Sequence, residues 1–215
     1  MAKATLRADA RRNLDKLRDA ALGVFREKGL HAPLDEIARR AGVSSGTLYN
    51  RFGSREALID AVAPELAADS LRAVARRAIA ERDPWEGFAS YVMGVCELQA
   101  SCPALNDVIS RRYASEQLTA ICRATEERER YIIERAQREG LLRADFTRED
   151  LFFVFWSTAT LVRHTSGAAP EGWRRAVGFL LDGLRAEAAH PLPAEPLTPD
   201  QVEEVMFRLG EGGPL

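Results

Sequence analysis

The stretch AGVSSGTLYNRF, Ala41 to Phe52, decides how this chain is read. Gly42 stands between two short apolar-periodic segments, and glycine turns the chain through a left-handed conformation at no steric cost. Before it, Leu34, Ile37, Ala38 and Ala41 hold one face of a short helix that has Pro33 at its first position. After it, Ser44 or Ser45 is placed to cap a second short helix. There Leu48 and Phe52 point inward with Val43, while Ser44, Ser45, Thr47, Tyr49 and Asn50 point outward. Two short helices joined in this way make a helix-turn-helix. A second helix with hydroxyls, an amide and an arginine on its outer face, and free N–H groups at its start, has the chemistry to meet phosphates and base edges.

On the N-terminal side, Leu14, Leu17, Ala21, Val24 and Phe25 recur at helical spacing between Arg11 and Lys28, and Gly29 supplies the stop. Arg7, Arg11 and Arg12 form a basic arm ahead of it, expected to fray. On the C-terminal side, Gly53 ends the motif and Ser54 caps a further helix. Glu56 lies in its first turn, where the helix dipole favours an anion. Ala57, Leu58, Ala61 and Val62 form its apolar face, and it is expected to run to Ala68. Longer helices follow over Ser70 to Glu81, and from Asp83-Pro84 through Phe88, Tyr91, Val92, Val95 and Leu98 until Pro103. A short helix over Leu105 to Ser110 and a long one from Ala114 to Glu139 come next, the latter stopped by Gly140.

Thr147-Arg148-Glu149-Asp150 is a capping box with Asp in place of the usual Glu, and it opens the run LFFVFWSTATLV. That run, Leu151 to Val162, is apolar nearly all round, which calls for burial on more than one side and suggests a second subunit. Pro170 to Ala188 gives another helix. HPLPAEPLTPDQ, with Pro191, Pro193, Pro196 and Pro199, reads as a stiff extended linker. Thr198 then caps a last helix, with Gln201 closing the box and Val202, Val205, Met206 and Leu209 on one stripe expected to dock on the body or on a partner. Nothing reads as a sheet, so the expected fold class is all-α.

The 215 residues suffice for one large or two modest domains, and 46% hydrophobic with 29% charged residues is globular composition. The net charge of −2 argues against a general nucleic-acid coat. It hides an asymmetry: residues 1–60 carry 12 Lys/Arg against 8 Asp/Glu, the remainder 18 against 24. A polyanion should therefore meet the N-terminal quarter. Cys96, Cys102 and Cys122 form no CxxC pair and no zinc-type spacing, so no metal is expected and a reduced compartment fits. With no apolar run near its start and none long enough to span a bilayer, the chain is expected to be cytoplasmic, with no membrane partner. His31, His164 and His190 are far apart, and GxSxG, P-loop, HExxH and GxGxxG patterns are absent. Glu126-Glu127 reads as a solvated helix face. The expectation is no enzyme and no cofactor.

The run from Leu14 through Val62, with AALGVFREKGL, LDEIARRAGVSSGTLYNRF and GSREALIDAV, resembles the DNA-binding domain of the TetR family of bacterial repressors. The resemblance implies an N-terminal three-helix helix-turn-helix domain over residues 1–54. A larger helical domain for ligand binding and dimerisation would follow over 55–189, and the Pro-rich linker and last helix would occupy 190–215. It places Ser44, Ser45 and Gly46 at the start of the recognition helix. Thr47 and Tyr49 fall at phosphate-contacting positions, and Asn50 at one that faces the groove. Arg55 stands where the family usually has a phosphate-binding lysine, with a wider donor fork. Arg51 replaces a commoner histidine, and Ala32-Pro33 replaces the usual threonine-type cap, removing a hydroxyl.

The same resemblance implies a ligand cavity, for which Phe88, Tyr91, Val92, Val95, Tyr113, Ile121, Phe153 and Trp156, with Trp85, are the apolar candidates. Cys96, Arg112, Arg128, Thr160 and above all His164 are the polar ones. It also implies a homodimer through the helices around Leu151–Val162 and Trp173–Leu184, reading a palindromic double-stranded operator and released by a largely apolar small-molecule effector. The alternative is a DNA-binding regulator with no small ligand, controlled by a protein partner through the last helix.

Overall fold

The computed structural model describes the backbone of residues 2–110 and 116–211, and the side chains there except those of residues 2–11, 63, 64, 116–119, 121, 122, 207 and 209–211. Eleven α-helices follow one another among the described residues: α1 (Ala2–Lys28), α2 (Leu34–Ala41), α3 (Ser45–Phe52), α4 (Arg55–Ala63), α5 (Asp69–Ala80), α6 (Pro84–Ser101), α7 (Pro103–Ile109), α8 (Glu116–Arg138), α9 (Leu151–Thr165), α10 (Gly172–Leu184) and α11 (Pro199–Glu211). The fold is all-α; a single isolated bridge, Leu142 with Arg185, is the nearest approach to a sheet among the described residues.

The turn at Gly42 forms as its residue types require. Gly42 lies at φ 70°, ψ 31°, in the left-handed region, and Val43 N–H reaches back to Ala38 O at 3.0 Å. Orphan carbonyls at the end of α2 are thereby satisfied and the chain is aimed into α3. Ser44, extended at φ −76°, ψ 152°, caps α3 by accepting from Thr47 N at 3.1 Å. The faces of α1, α2, α3 and α4 meet in one core of Leu17, Ala21, Phe25, Ile37, Leu48 and Leu58. That head continues into the body, where α6 is central and packs against α5, α7, α8 and α9. Asp83 Oδ1 starts α6 by accepting from Trp85 N at 2.8 Å and Glu86 N at 3.1 Å.

Four features depart from the sequence reading. Helix α1 begins at Ala2, so the backbone of the basic arm is helical. The single helix expected from Ser54 to Ala68 breaks at Pro64, which has no N–H for the ladder, and a π-helical turn over Pro64–Ala68 joins α4 to α5. Helix α10 stops at Leu184, well short of Ala188. There the chain extends at Arg185 to exchange bonds with the loop after α8: Arg143 N to Leu184 O and Ala186 N to Leu141 O, both 3.0 Å.

The fourth concerns α9, which is not buried all round. Leu151, Val154, Phe155, Thr158 and Ala159 face the core, while Phe153 and Trp156 are exposed. Helix α10 packs on α9 and leaves Phe179 62% and Leu180 41% exposed. Large apolar side chains of both helices are thus open to solvent in the single chain.

Candidate nucleic-acid interface and effector cavity

The outer face of α3 divides into hydroxyls used by the fold and groups left over. Ser44 caps the helix and its Oγ lies 2.9 Å from Thr47 Oγ1, and Ser45 Oγ donates to Asp35 Oδ1 at 2.7 Å, tying α3 to α2. Gly46, Tyr49 (50% exposed), Asn50 and Arg51 face solvent. Among the described residues, none of the side chains of Tyr49, Asn50 and Arg51 is engaged in a hydrogen bond or ion pair. Arg55 Nη1 donates to Leu30 O and Ala32 O, both at 2.7 Å, holding the loop between α1 and α2. Arg40 is engaged as well, in a two-pronged pair with Glu27 at 2.8 and 2.7 Å. That guanidinium draws the Glu27 carboxyl below its ordinary value.

A cavity of about 90 Å³ lies in the body between α5, α6, the end of α7, α8, α9 and α11. Of the expected lining residues, Tyr91, Val95 and Trp156 do line it. Phe88 and Val92 lie deeper in the core, Phe88 edge-on to Phe146 at 5.4 Å. Phe153 faces a separate groove with Leu192 and Pro193 of the linker, its ring meeting that of Phe152 edge-on at 5.5 Å. His164 is exposed on the last turn of α9, off the cavity. Tyr113 and Arg112 lie outside the described residues, as does the side chain of Ile121. Cys96 is buried beside Thr158, its thiol pushed up to about 12 by burial, and it does not reach the cavity.

The cavity's polar groups were missed in the sequence. Glu129 accepts from Tyr91 OH at 2.7 Å and Thr125 Oγ1 at 3.3 Å, with Arg148 Nη1 3.8 Å away. Burial raises its carboxyl above the ordinary value, against the hydrogen bonds and the arginine. Arg148 also pairs with Glu149 at 3.0 Å. The signal was weak because Glu129 sits in the charged run EERER, which reads as a solvated face; only its spacing of four from Thr125 hints at an inward pair.

One short helix touches both regions. Ile109 at the end of α7 and Ser110 just beyond it line the cavity. Two residues earlier, buried Asp107 accepts the Leu30 N–H through Oδ2 at 2.8 Å and faces Arg163 Nη1 at 3.4 Å through Oδ1. Gly29, at φ 83°, makes this approach possible, since a Cβ there would come within 2.7 Å of Asp107 Oδ2.

Among the described residues, no group of three or more His, Cys, Asp and Glu is arranged to hold a metal, and no helix is long and apolar enough to cross a membrane. A helix-turn-helix head joined to a helical body with an internal cavity is the architecture of a helix-turn-helix regulatory protein. Comparison with known proteins gives the family. The model for bacterial regulatory proteins of the tetR family matches residues 17–62, and that for the C-terminal domain of SbtR-like transcriptional regulators matches residues 83–186. The chain belongs to the TetR family.

Similar proteins include the uncharacterized HTH-type transcriptional regulator YvdT of Bacillus subtilis (strain 168), 38% identical over 72 residues, which are 33% of this chain and 37% of YvdT. The chain thus spans little more than a third of that relative's length. The HTH-type transcriptional repressor KstR2 of Rhodococcus jostii (strain RHA1) is 28% identical over 152 residues, 67% of this chain and 74% of the relative. Among solved structures, the TetR transcriptional regulator SCO0520 of Streptomyces coelicolor is similar at 29% identity and a TM-score of 0.50, covering 80% of this chain and 97% of that one.

Proposed function

We propose that the protein is a homodimeric transcriptional repressor that binds a palindromic operator through α3 and lets go when a small, largely apolar effector fills the cavity. The observation that carries it is the unspent face of α3: Tyr49, Asn50 and Arg51 stand exposed beyond a helix whose cap and core residues are already satisfied. Ser44, Thr47 and the open N-terminus of α3, bare at Gly46, complete the contact surface, while Ser45 fixes the angle of α3 through Asp35. Arg55 has one nitrogen committed to the head's own loop, so its phosphate contact is confined to its remaining N–H groups.

The exposed faces of α9 and α10 around Phe153, Trp156, Phe179 and Leu180 support dimerisation by two-fold pairing. Two heads related in this way read half-sites roughly 34–36 Å apart or at a related spacing. The division into a reading head of residues 1–54, an effector and dimer body of 55–189 and an appended segment of 190–215 follows the same logic. YvdT and KstR2 are regulators by name, and KstR2 a repressor, which supports this reading over catalysis.

Control by a protein partner through the last helix is the weaker reading, because Val202 and Met206 of α11 are turned onto the chain's own cavity. The test is gel retardation of the intergenic DNA beside the gene, with a footprint. Retention of a palindromic fragment that specific small compounds abolish is expected. No protected palindrome in that DNA would refute operator binding.

A further inference from the structure

The cavity is closed on one side by α11, which lies beyond the matched C-terminal region ending at residue 186. The chain leading to it is pinned at its start: Arg143, buried and held by Asp145 at 2.6 and 2.9 Å, donates to His190 O at 2.8 Å. Residues 191–197 form no helix, and Pro191, Pro193 and Pro196 stiffen them. Helix α11 then starts autonomously, with Thr198 N donating to Gln201 Oε1 at 2.9 Å and Gln201 N to Thr198 Oγ1 at 3.2 Å. Its ion pair, Arg208 with Glu204, is internal. Among the described residues no hydrogen bond or ion pair joins α11 to the body. What holds it is apolar contact, with Val202 and Met206 half-buried against the cavity while Val205 faces out.

We propose that α11 is a hinged lid of the effector site, and that Val202 and Met206 fill space that a ligand takes when the lid lifts, which makes them selectors of ligand size. The proposal rests on the reading of the cavity as the effector site. The tether keeps the lid at high effective concentration over the opening, so it competes with ligands too large to fit beneath it without needing strong contacts of its own. Small ligands fit beneath it; longer ones must displace it.

The test uses the full-length chain and N-phenyl-1-naphthylamine, a neutral apolar fluorophore, titrated without DNA. Val202→Asp/Met206→Asp should release the lid, raising amide hydrogen exchange over residues 199–206 and tightening probe binding about tenfold, equivalent to ~1.4 kcal/mol. Met206→Ala, which shortens the plug on a helix still docked through Val202, should tighten binding by less, and Val205→Asp on the outer face should change neither readout. Unchanged exchange in the double variant, or raised exchange with equal, weaker or no probe binding, overturns the proposal. Operator retention is measured separately. A probe that binds as expected yet never releases DNA counts against the effector reading and leaves the lid standing.

Discussion

Asp107→Ala perturbs the contact through which the body grips the reading head. Asp107 is 4% and Leu30 0% exposed, so the Leu30 N–H, now paired at 2.8 Å, has no route to water once the carboxylate is gone. A buried N–H left without a partner costs about 1–3 kcal/mol. The Arg163 pair adds less than ~1 kcal/mol, because that side chain is 34% exposed and solvent screens it. The expected loss is about 1–4 kcal/mol, a fall in Tm of roughly 2–16 °C for a chain of this size. Arg163→Ala should cost less than ~1 kcal/mol, and Asp107→Asn should fall between the two, since its amide oxygen can still accept from Leu30. Thermal and urea denaturation followed by circular dichroism measure all three. The same substitution should uncouple effector from operator. A coupling of about 1–3 kcal/mol changes operator affinity roughly 5- to 150-fold, and in Asp107→Ala that ratio should approach one. If Asp107→Ala unfolds within ~0.5 kcal/mol of the parent, or no more easily than Arg163→Ala, the reasoning is refuted.

Other outcomes follow from the same geometry. Tyr49→Phe and Arg51→Ala should leave unfolding within ~0.5 kcal/mol of the parent while weakening operator binding, and Arg51→Ala should lower the salt slope by about one if it meets a phosphate; unchanged binding by both would remove α3's outer face from the interface. Phe179→Asp, at a side chain 62% exposed in the single chain, should yield a folded monomer in sedimentation and lose operator binding; a persistent dimer would place the interface elsewhere. Glu129, raised above its ordinary 4.5 by burial, binds its proton more readily folded than unfolded. Its stabilisation is therefore present below 4.5 and lost as pH rises through the folded value. Glu129→Gln, which keeps an acceptor for Tyr91, should be more stable than the parent at neutral pH by a margin that shrinks towards pH 4.5, and a margin independent of pH would refute this.

The head was legible because each of its decisions is local. Gly42 demands a left-handed φ, Ser44 a cap and Leu48 an inward face, and all three are settled within one turn of the chain. The capping boxes at Thr147 and Thr198 were readable for the same reason. The cavity was not, because its walls come from six helices whose relative rotation no single periodicity records. Phe152 and Phe153 are neighbours in sequence and equally apolar, yet one lines the cavity and the other faces the linker. Glu129 was hidden by the charges around it, and Arg55, which looks like a surface phosphate clamp, is drawn inward by two carbonyls that only the folded α1–α2 loop brings together. The run Leu151 to Val162 is apolar nearly all round, yet in the single chain α9 buries one face and leaves Phe153 and Trp156 exposed, a difference that periodicity alone does not record.

The proposed coupling between cavity and operator has a continuous and short physical route. Residue Leu30 is held from both sides: its N–H by Asp107 of α7, its C=O by Arg55 of α4. Helix α7 is only seven residues long, so a ligand that pushes on Ile109 or Ser110 at one end displaces Asp107 as part of the same rigid turn. Asp107 then either loses a 2.8 Å hydrogen bond to a fully buried group or carries Leu30 with it. Carrying it is the cheaper course, since an orphaned N–H costs about 1–3 kcal/mol and the loop ends two residues later at Ala32-Pro33, where α2 begins. Helix α2 is in turn bonded to α3 through Asp35 and Ser45 at 2.7 Å. A shift of the loop thus becomes a reorientation of the reading helix, and in a dimer two such reorientations change the spacing of the heads against a fixed DNA repeat. Ser45, which the sequence places at the DNA surface, is also the residue that ties α3 to α2, so a contact there would act directly on the joint between the two helices.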